Sequence, residues 1–296
     1  MPTRTKKLKE IIVNTFSLLN SHLQVEIAEQ GAEVRSVKSL LDNTEYLWWA
    51  DAAHWSRSAP ILFPIVGKLK NDVYTLNEIP YNMRQHGFAR DMKHSILNKS
   101  DDQISYILEA TDETKKVYPF DFELYTHYKL IDKTLFITYE IVHVFGNPLP
   151  YAFGTHPAFL LGHGDTAPRV TSSESLPESI SYLQNGLLAD DTTNYEHEAK
   201  SLSIAQHTFN NDALIFKNYN PKSWNLLRSD GKQVTIETRD FPHSALWSKP
   251  GAPFVCIERW TGHADTVHSP ENILEKESVL RLKNGRALYA ISYTFN

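Results

Sequence analysis

A single cysteine, Cys256, occurs in the 296 residues, so no disulfide can close within the chain. A chain built that way suits a reducing compartment, the cytoplasm, and its apolar flanks make Cys256 read as a buried thiol rather than a nucleophile. Nowhere do eighteen apolar residues run together, so no membrane-crossing helix is expected. Basic residues at Arg4, Lys6, Lys7 and Lys9 are not followed by the apolar core of a signal peptide. The formal net charge is −5, with neither a basic tail nor a basic stripe, which argues against a nucleic-acid or anionic-membrane binder. Glycine-rich phosphate loops, dinucleotide fingerprints and the Gly-x-Ser-x-Gly elbow of a hydrolase are absent. Metal-ligand spacing is missing as well, since His263 and His268 stand five apart in a loop-like stretch and no helical His-x3-His occurs. Neither a metal nor an organic cofactor is expected. Linkers, fixed-period repeats and low-complexity tracts are also lacking, which points to one domain over residues 1–296.

Helical periodicity is scarce. One short helix is expected from Thr111 to Tyr118, opened by Thr111 or Asp112 and stopped before Pro119, and residues 271–277 could add a turn or two. Period-two alternation is everywhere instead. Leu23, Val25 and Ile27 show it, as do Ile104, Tyr106 and Leu108. Phe122 to Leu130 and Leu135 to Ile141 repeat it around a polar connection at residues 131–134, a hairpin by pattern. Asp230-Gly231 and Asn284-Gly285 are turn pairs between further strand-like runs. Residues 172–177 and 190–200 are polar enough to be surface loops. So many strands exceed one open sheet, and an all-β fold of two packed, twisted sheets, a large β-sandwich, follows.

Four stretches carry residues capable of chemistry. Residues 148–159, Pro-Leu-Pro-Tyr-Ala-Phe-Gly-Thr-His-Pro-Ala-Phe, hold His156 among small and aromatic neighbours without any charge. Pro157 biases His156 towards extended backbone, and an imidazole in an apolar pocket can exchange a proton near neutral pH. A core histidine bonded to a carbonyl satisfies the same pattern. Residues 59–69 are apolar, broken by two prolines, and end in Gly67-Lys68, as if crossing a sheet face to present Lys68. An edge strand with a solvated lysine fits equally. In Gln85-His-Gly-Phe-Ala-Arg90 the glycine suggests a bend that leaves His86 and Arg90 on one side, or a plain solvated turn. In residues 253–262, Phe254, Cys256 and Glu258 share one face of a strand while Val255, Ile257 and Arg259 share the other. Desolvation on such a face would raise the Glu258 pKa towards that of a usable base, although a salt-bridged structural carboxylate is the plainer reading.

Together these stretches resemble the aldose 1-epimerase (galactose mutarotase) family, in its bacterial mutarotase-related branch. The resemblance rests on residues 59–69, on Gln85-His-Gly-Phe-Ala-Arg90, on Gly154-Thr-His-Pro-Ala-Phe159, on Asn211-Asp-Ala-Leu-Ile-Phe216 and on Phe254-Val-Cys-Ile-Glu258, in family order. It implies the family's large sandwich (the galactose mutarotase-like supersandwich) with a monosaccharide site on its concave face. It also implies His156 as the acid at the ring oxygen, Glu258 as the base at the anomeric hydroxyl, His86 as a second histidine near the reacting oxygens, and Asp212 as a holder of sugar hydroxyls. Lys68 stands where the family commonly has arginine, and Arg259 where the branch usually has proline, departures that bear on substrate orientation and on the base's surroundings. Trp55, Trp260 and Phe254 are candidates for an apolar platform under the sugar. The expected reaction is anomer interconversion of a free aldose such as glucose or galactose. The cations Arg57, Lys68, Arg84 and Arg90 keep open a hexose-6-phosphate 1-epimerase, and the two departures a sugar-binding protein without turnover. A glycosidase needs paired carboxylates, for which only Glu258 and Asp212 are candidates.

Overall fold

The computed structural model of the protein describes residues 14–143 and 146–296; the basic positions Arg4, Lys6, Lys7 and Lys9 lie outside the described residues. Its two large sheets follow from the alternation. A nine-stranded antiparallel sheet runs, in spatial order, through Ser201–Ser203, Arg169–Ser172, Ser223–Leu227, Gln233–Arg239, Gly285–Phe295, Thr134–His143, Glu123–Ile131, Gln103–Glu109 and Ser95–Lys99. An eight-stranded sheet runs through Leu187–Asn194, Ser179–Gln184, Leu214–Phe216, His243–Trp247, Phe254–Trp260, Gly154–Thr155 and Ile61–Leu62, with Ala158–Leu160 also paired to Phe254–Trp260.

The main core lies where the inner faces meet. Ile137, Tyr139, Val234, Ile236, Ile291 and Tyr293 of the larger sheet pack in one cluster with Phe153, Phe159, Leu246, Val255 and Ile257 of the smaller. Ring contacts bridge the layers, Tyr139 to Phe153 at 4.8 Å and Phe159 to Tyr293 at 5.4 Å. The larger sheet exposes its outer face, as Phe136 and Leu288 show. The smaller one is different. Its strand Phe254–Trp260 is buried at every position, so its outer face is covered too. Two satellite clusters there, one around Leu62, Ala213, Ile215 and Trp260, the other around Trp48, Phe254 and Cys256, form the floor on which the candidate site stands.

Several expectations are met. Residues 131–134 close the hairpin with Thr134 opposite Ile131, and Gly231 takes φ +80° in the turn joining Ser223–Leu227 to Gln233–Arg239. The helix occupies Asp112–Lys115, with Thr111 as N-cap in a reciprocal capping box with Thr114. Cys256 is fully buried, and desolvation pushes its thiol well above the ordinary range.

Three expectations are corrected. Asn284-Gly285 does not close a hairpin: Leu280–Leu282 pairs with Leu149–Tyr151 instead. Gly285–Phe295 pairs along its length with Thr134–His143 and, over Ala290–Phe295, with Gln233–Arg239, while the preceding strand turns away to a partner far back in the chain. Residues 190–194 are strand rather than loop, paired with Ser179–Gln184 at the end of the smaller sheet. An edge strand wet on both sides needs no apolar alternation, which hid it. Residues 271–277 form successive turns, not helix. They are tied down by Lys276, whose Nζ donates to buried Asp265 at 2.6 Å.

Candidate active site

The strand Phe254–Trp260 sets the geometry. On one flank the partner strand is interrupted: Gly154–Thr155 pairs with it, then His156 and Pro157 leave the ladder, and Ala158–Leu160 resumes. Proline has no N–H to contribute, which accounts for the break. Register is nonetheless kept. Thr155 faces Arg259 and Ala158 faces Cys256, which puts His156 directly across from Glu258. Directly opposed residues of an antiparallel pair project to the same face. The His156 Nε2 accordingly lies 3.1 Å from Glu258 Oε1, with both side chains almost wholly buried.

Burial dominates the electrostatics of this pair. Desolvation pushes His156 down to about 3, helped by the nearby Arg90 guanidinium. It also raises Glu258 well above the ordinary carboxylate range, opposed by a hydrogen bond from Trp260 and reinforced by the charge of Asp212. Burial therefore disfavours charge on each of the two groups.

A cavity of about 420 Å³ opens over the pair, lined by Trp55, Arg57, His86, Asp212, Trp247 and Lys249 among others. That volume lies in the range of small-molecule sites. Trp55 stacks on His156 with ring centroids 4.9 Å apart, and Trp247 meets the same imidazole edge-on at 5.7 Å. His86, at φ +67°, is placed by the turn before Gly87. The Gly67 N–H donates to its Nδ1 at 3.1 Å, which leaves the ring proton on Nε2. Burial keeps His86 neutral, with its pKa well below the ordinary value. Gly67 is required here, since it takes φ +75° and a Cβ would come within 2.6 Å of Ala264. Asp212 sits at φ +76°, tolerable for aspartate, and its Oδ1 accepts the Ala213 N–H at 2.9 Å.

Of the residues singled out from the sequence, His156, Glu258, His86, Asp212, Arg57, Arg90 and Trp55 all line this cavity. Trp260 lines it as well. Lys68, Phe254, Arg84 and Arg259 do not. Lys68 points along the surface, its Nζ 3.9 Å from Asp72. Phe254 is fully buried beneath the site between Trp48 and Trp55, so it supports the aromatic wall without facing the cavity. Arg84 is exposed and outside the lining. Arg259 lies on the opposite face of its strand, bonded to Ser244, Asn220 and the Phe241 carbonyl, so it leaves the surroundings of Glu258 unchanged. Trp247, Lys249 and Gln85 were not singled out as site residues; Trp247 and Lys249 carry no local signal that separates them from ordinary sheet and loop residues.

A slightly larger cavity, about 470 Å³, lies near Tyr182, Tyr195, His197 and His207. It lacks a buried acid–base pair, and the chemistry gathers in the other. Among the described residues no three His, Cys, Asp or Glu side chains gather to hold a metal, and no helix is long and apolar enough to cross a membrane.

A family model described as aldose 1-epimerase matches residues 14–281. The chain belongs to that family. It is 30% identical over 297 residues to the plasmid-encoded protein LacX of Lactococcus lactis subsp. lactis, covering 94% of this chain and 99% of that one. A galactose mutarotase related enzyme from Lactobacillus acidophilus superposes with a TM-score of 0.90 at 30% identity, over 96% of this chain and 97% of the other. A galactose mutarotase-like protein from Lactobacillus casei ATCC 334 gives 0.89 at 27% identity, over 96% and 100%. These matches show the sandwich to be the galactose mutarotase-like one.

Proposed function

We propose that this protein is an aldose 1-epimerase, interconverting the α and β anomers of a free aldose. The observation that carries the reading is the His156–Glu258 pair, 3.1 Å apart at the floor of the cavity. A cyclic sugar opens when its anomeric hydroxyl loses a proton and its ring oxygen gains one. With His156 protonated and Glu258 ionised, the carboxylate takes the first proton and the imidazolium gives the second. The products are a free aldehyde, a neutral imidazole and a protonated carboxyl. Rotation about C1–C2 turns the carbonyl over, and reversal of both transfers closes the other anomer.

Throughout this cycle the pair carries no net charge. Burial penalises each charge of the starting ion pair, and the close contact of the two opposite charges offsets that penalty. General acid and base catalysis of this kind contributes on the order of a hundredfold to ten-thousandfold per group. His86, neutral and protonated on Nε2, supplies a donor for a sugar oxygen, and Asp212 supplies acceptors for hydroxyls. Trp55 and Trp247 offer apolar surface to the ring.

A second reading, a hexose-phosphate epimerase, draws on Arg57, Arg90 and Lys249, which all line the cavity. A phosphoryl group needs more than one converging cation. Arg57 is already engaged, its guanidinium 2.5 Å from Asp91. Polarimetry on freshly dissolved α-D-glucose and α-D-galactose tests the first reading, with glucose 6-phosphate beside them for the second. Catalysed decay of rotation on a free aldose is expected. Protein no faster than buffer across a panel of free aldoses sinks the reading.

A further inference from the structure

We propose that Trp260 is a positioning residue, its indole holding the Glu258 carboxyl so that one oxygen faces His156, and that Gly154 is the seat this indole requires. The inference rests on the acid–base reading of the His156–Glu258 pair and adds to it.

Three observations converge. The Trp260 Nε1–H donates to Glu258 Oε2 at 3.0 Å, while Oε1 lies 3.1 Å from His156 Nε2. The two oxygens therefore have separate partners, and rotation of the carboxyl would break both contacts. Second, Trp260 lies two residues after Glu258 on a strand, hence on the same face, and it is almost wholly buried beside Leu62 and Ala213. A packed indole has little freedom, which makes its N–H a fixed donor. Third, Gly154 is the residue directly across the ladder from Trp260. A Cβ there would stand 2.9 Å from Trp260 Cδ1, and 3.2 Å from both the Arg259 carbonyl oxygen and Leu62 Cδ1. The neighbours on the other sides are backbone and packed core, so it is the indole that must give way.

The two strands thus interlock twice, His156 against Glu258 and Gly154 under Trp260. A neutral N–H bonded to a carboxylate favours its ionised form, and the direction of its effect on Glu258 is to lower the pKa. The indole thus works against burial, which raises the Glu258 pKa.

The test replaces Trp260 with 3-benzothienylalanine, in which sulfur stands for the N–H and the ring shape is kept. Glu258 is followed by 13C-carboxyl NMR across a pH titration, assigned by difference from Glu258→Gln. Anomerase kinetics run in parallel. The expected result is a Glu258 midpoint higher by about one pH unit, with kcat lower by about tenfold or more. Gly154→Ala, which displaces the indole rather than deleting its donor, is expected to move the midpoint in the same direction. An unshifted midpoint in the isostere overturns the proposal, whether or not activity falls, because packing alone then accounts for Trp260. The carboxyl titration needs no substrate. A wild-type protein inactive on every sugar therefore defeats the epimerase reading and leaves Trp260 to be judged on the midpoint alone.

Discussion

Trp55 lies against His156 with ring centroids 4.9 Å apart and planes at 30°, covering one face of the imidazole. Desolvation is the main cause of the depressed His156 pKa, near 3, and the indole is part of what keeps water away. Replacing Trp55 with alanine is expected to let water reach the ring and raise its titration midpoint towards the ordinary imidazole value of 6.5. The same change removes apolar surface from the cavity wall, so KM for the sugar rises, by about tenfold if one aromatic contact is lost. NMR of the imidazole ring protons reads the first effect and steady-state kinetics the second. A midpoint that stays near 3 shows that other groups do the desolvating.

On the proposed mechanism His156 and Glu258 share one proton, and a bell-shaped pH profile for kcat/KM is expected. A second proton on the pair removes the base, and loss of the only proton removes the acid. Desolvation lowers His156 to about 3, which puts the acid limb far below neutrality. It raises Glu258, which puts the alkaline limb well above 4.5. The two limbs belong to the pair rather than to either residue. Glu258→Gln cannot accept the proton and is expected to lose about a hundredfold or more in kcat. A profile falling off near 4.5 on its alkaline side counts against the pair as drawn.

How much of this was legible in the sequence depends on range. Strands declare themselves locally, because alternation such as Leu135, Ile137, Tyr139 and Ile141 needs only one buried face. Which strands pair is a longer question. The turn at Asn284-Gly285 looks like a hairpin, yet Leu280–Leu282 goes to Leu149–Tyr151, a partner far back in the chain that no local pattern names. The site shows the same split. Period two puts Glu258 on the face of Phe254 and Cys256, and the same rule puts Trp260 there, one step further along. Nothing local says that Phe254 stops beneath the cavity, that Lys68 turns along the surface towards Asp72, or that Trp247 and Lys249 come in from a neighbouring strand and loop. The resemblance to a family joined His156 to Glu258. The register explains why they meet.

The cations of the cavity make a charge test. Arg90 is largely buried, with one guanidinium nitrogen donating to the Gln85 carbonyl at 2.7 Å and its Nε without a partner among the described residues. Arg90→Gln takes from a neutral aldose at most one ordinary hydrogen bond, so a change in KM of about tenfold or less is expected. A phosphorylated sugar would lose a charge-assisted bond, worth roughly tenfold to a hundredfold. Comparing glucose with glucose 6-phosphate on both proteins separates the cases. A large loss confined to the phosphorylated sugar, with that sugar the faster substrate in wild type, moves the assignment to the second reading.

Acid sensitivity of the fold follows from histidines buried without charge. His94 is fully buried, Nε2 bonded to the Ala89 carbonyl at 3.0 Å, and desolvation lowers its pKa to about 4. His243 is lowered to about 4 by the same cause. A depressed histidine pKa means that the unfolded chain binds the proton first as pH falls. Stability is therefore full above the unfolded value near 6.5 and is lost as pH drops towards 4. His94 alone contributes on the order of 3 kcal/mol over that window. Urea melts of wild type and His94→Gln at pH 7 and pH 4.5 check this, and the variant is expected to lose less on acidification. Equal losses in both proteins exclude His94 as a source.

Arg259 separates stability from chemistry, because its strand carries Glu258 on one face and the guanidinium on the other. Fully buried, Arg259 donates to Ser244, to Asn220 and, at 3.0 Å, to the Phe241 carbonyl. Burial lowers its pKa to about 10, still far above neutrality, so the charge persists. These neutral acceptors are satisfied by a planar fork with several donors, which a lysine ammonium cannot reproduce. Arg259→Met strands buried oxygens without donors and is expected to cost about 3 kcal/mol of stability, read as a lower urea midpoint. Arg259→Lys should recover only part of it. In either variant kcat per folded molecule is expected to stay close to wild type, since nothing in contact with His156 or Glu258 has changed. A drop of a hundredfold in kcat with unaltered stability would mean that the guanidinium reaches the base through the strand, against the two-faced arrangement on which the site is built.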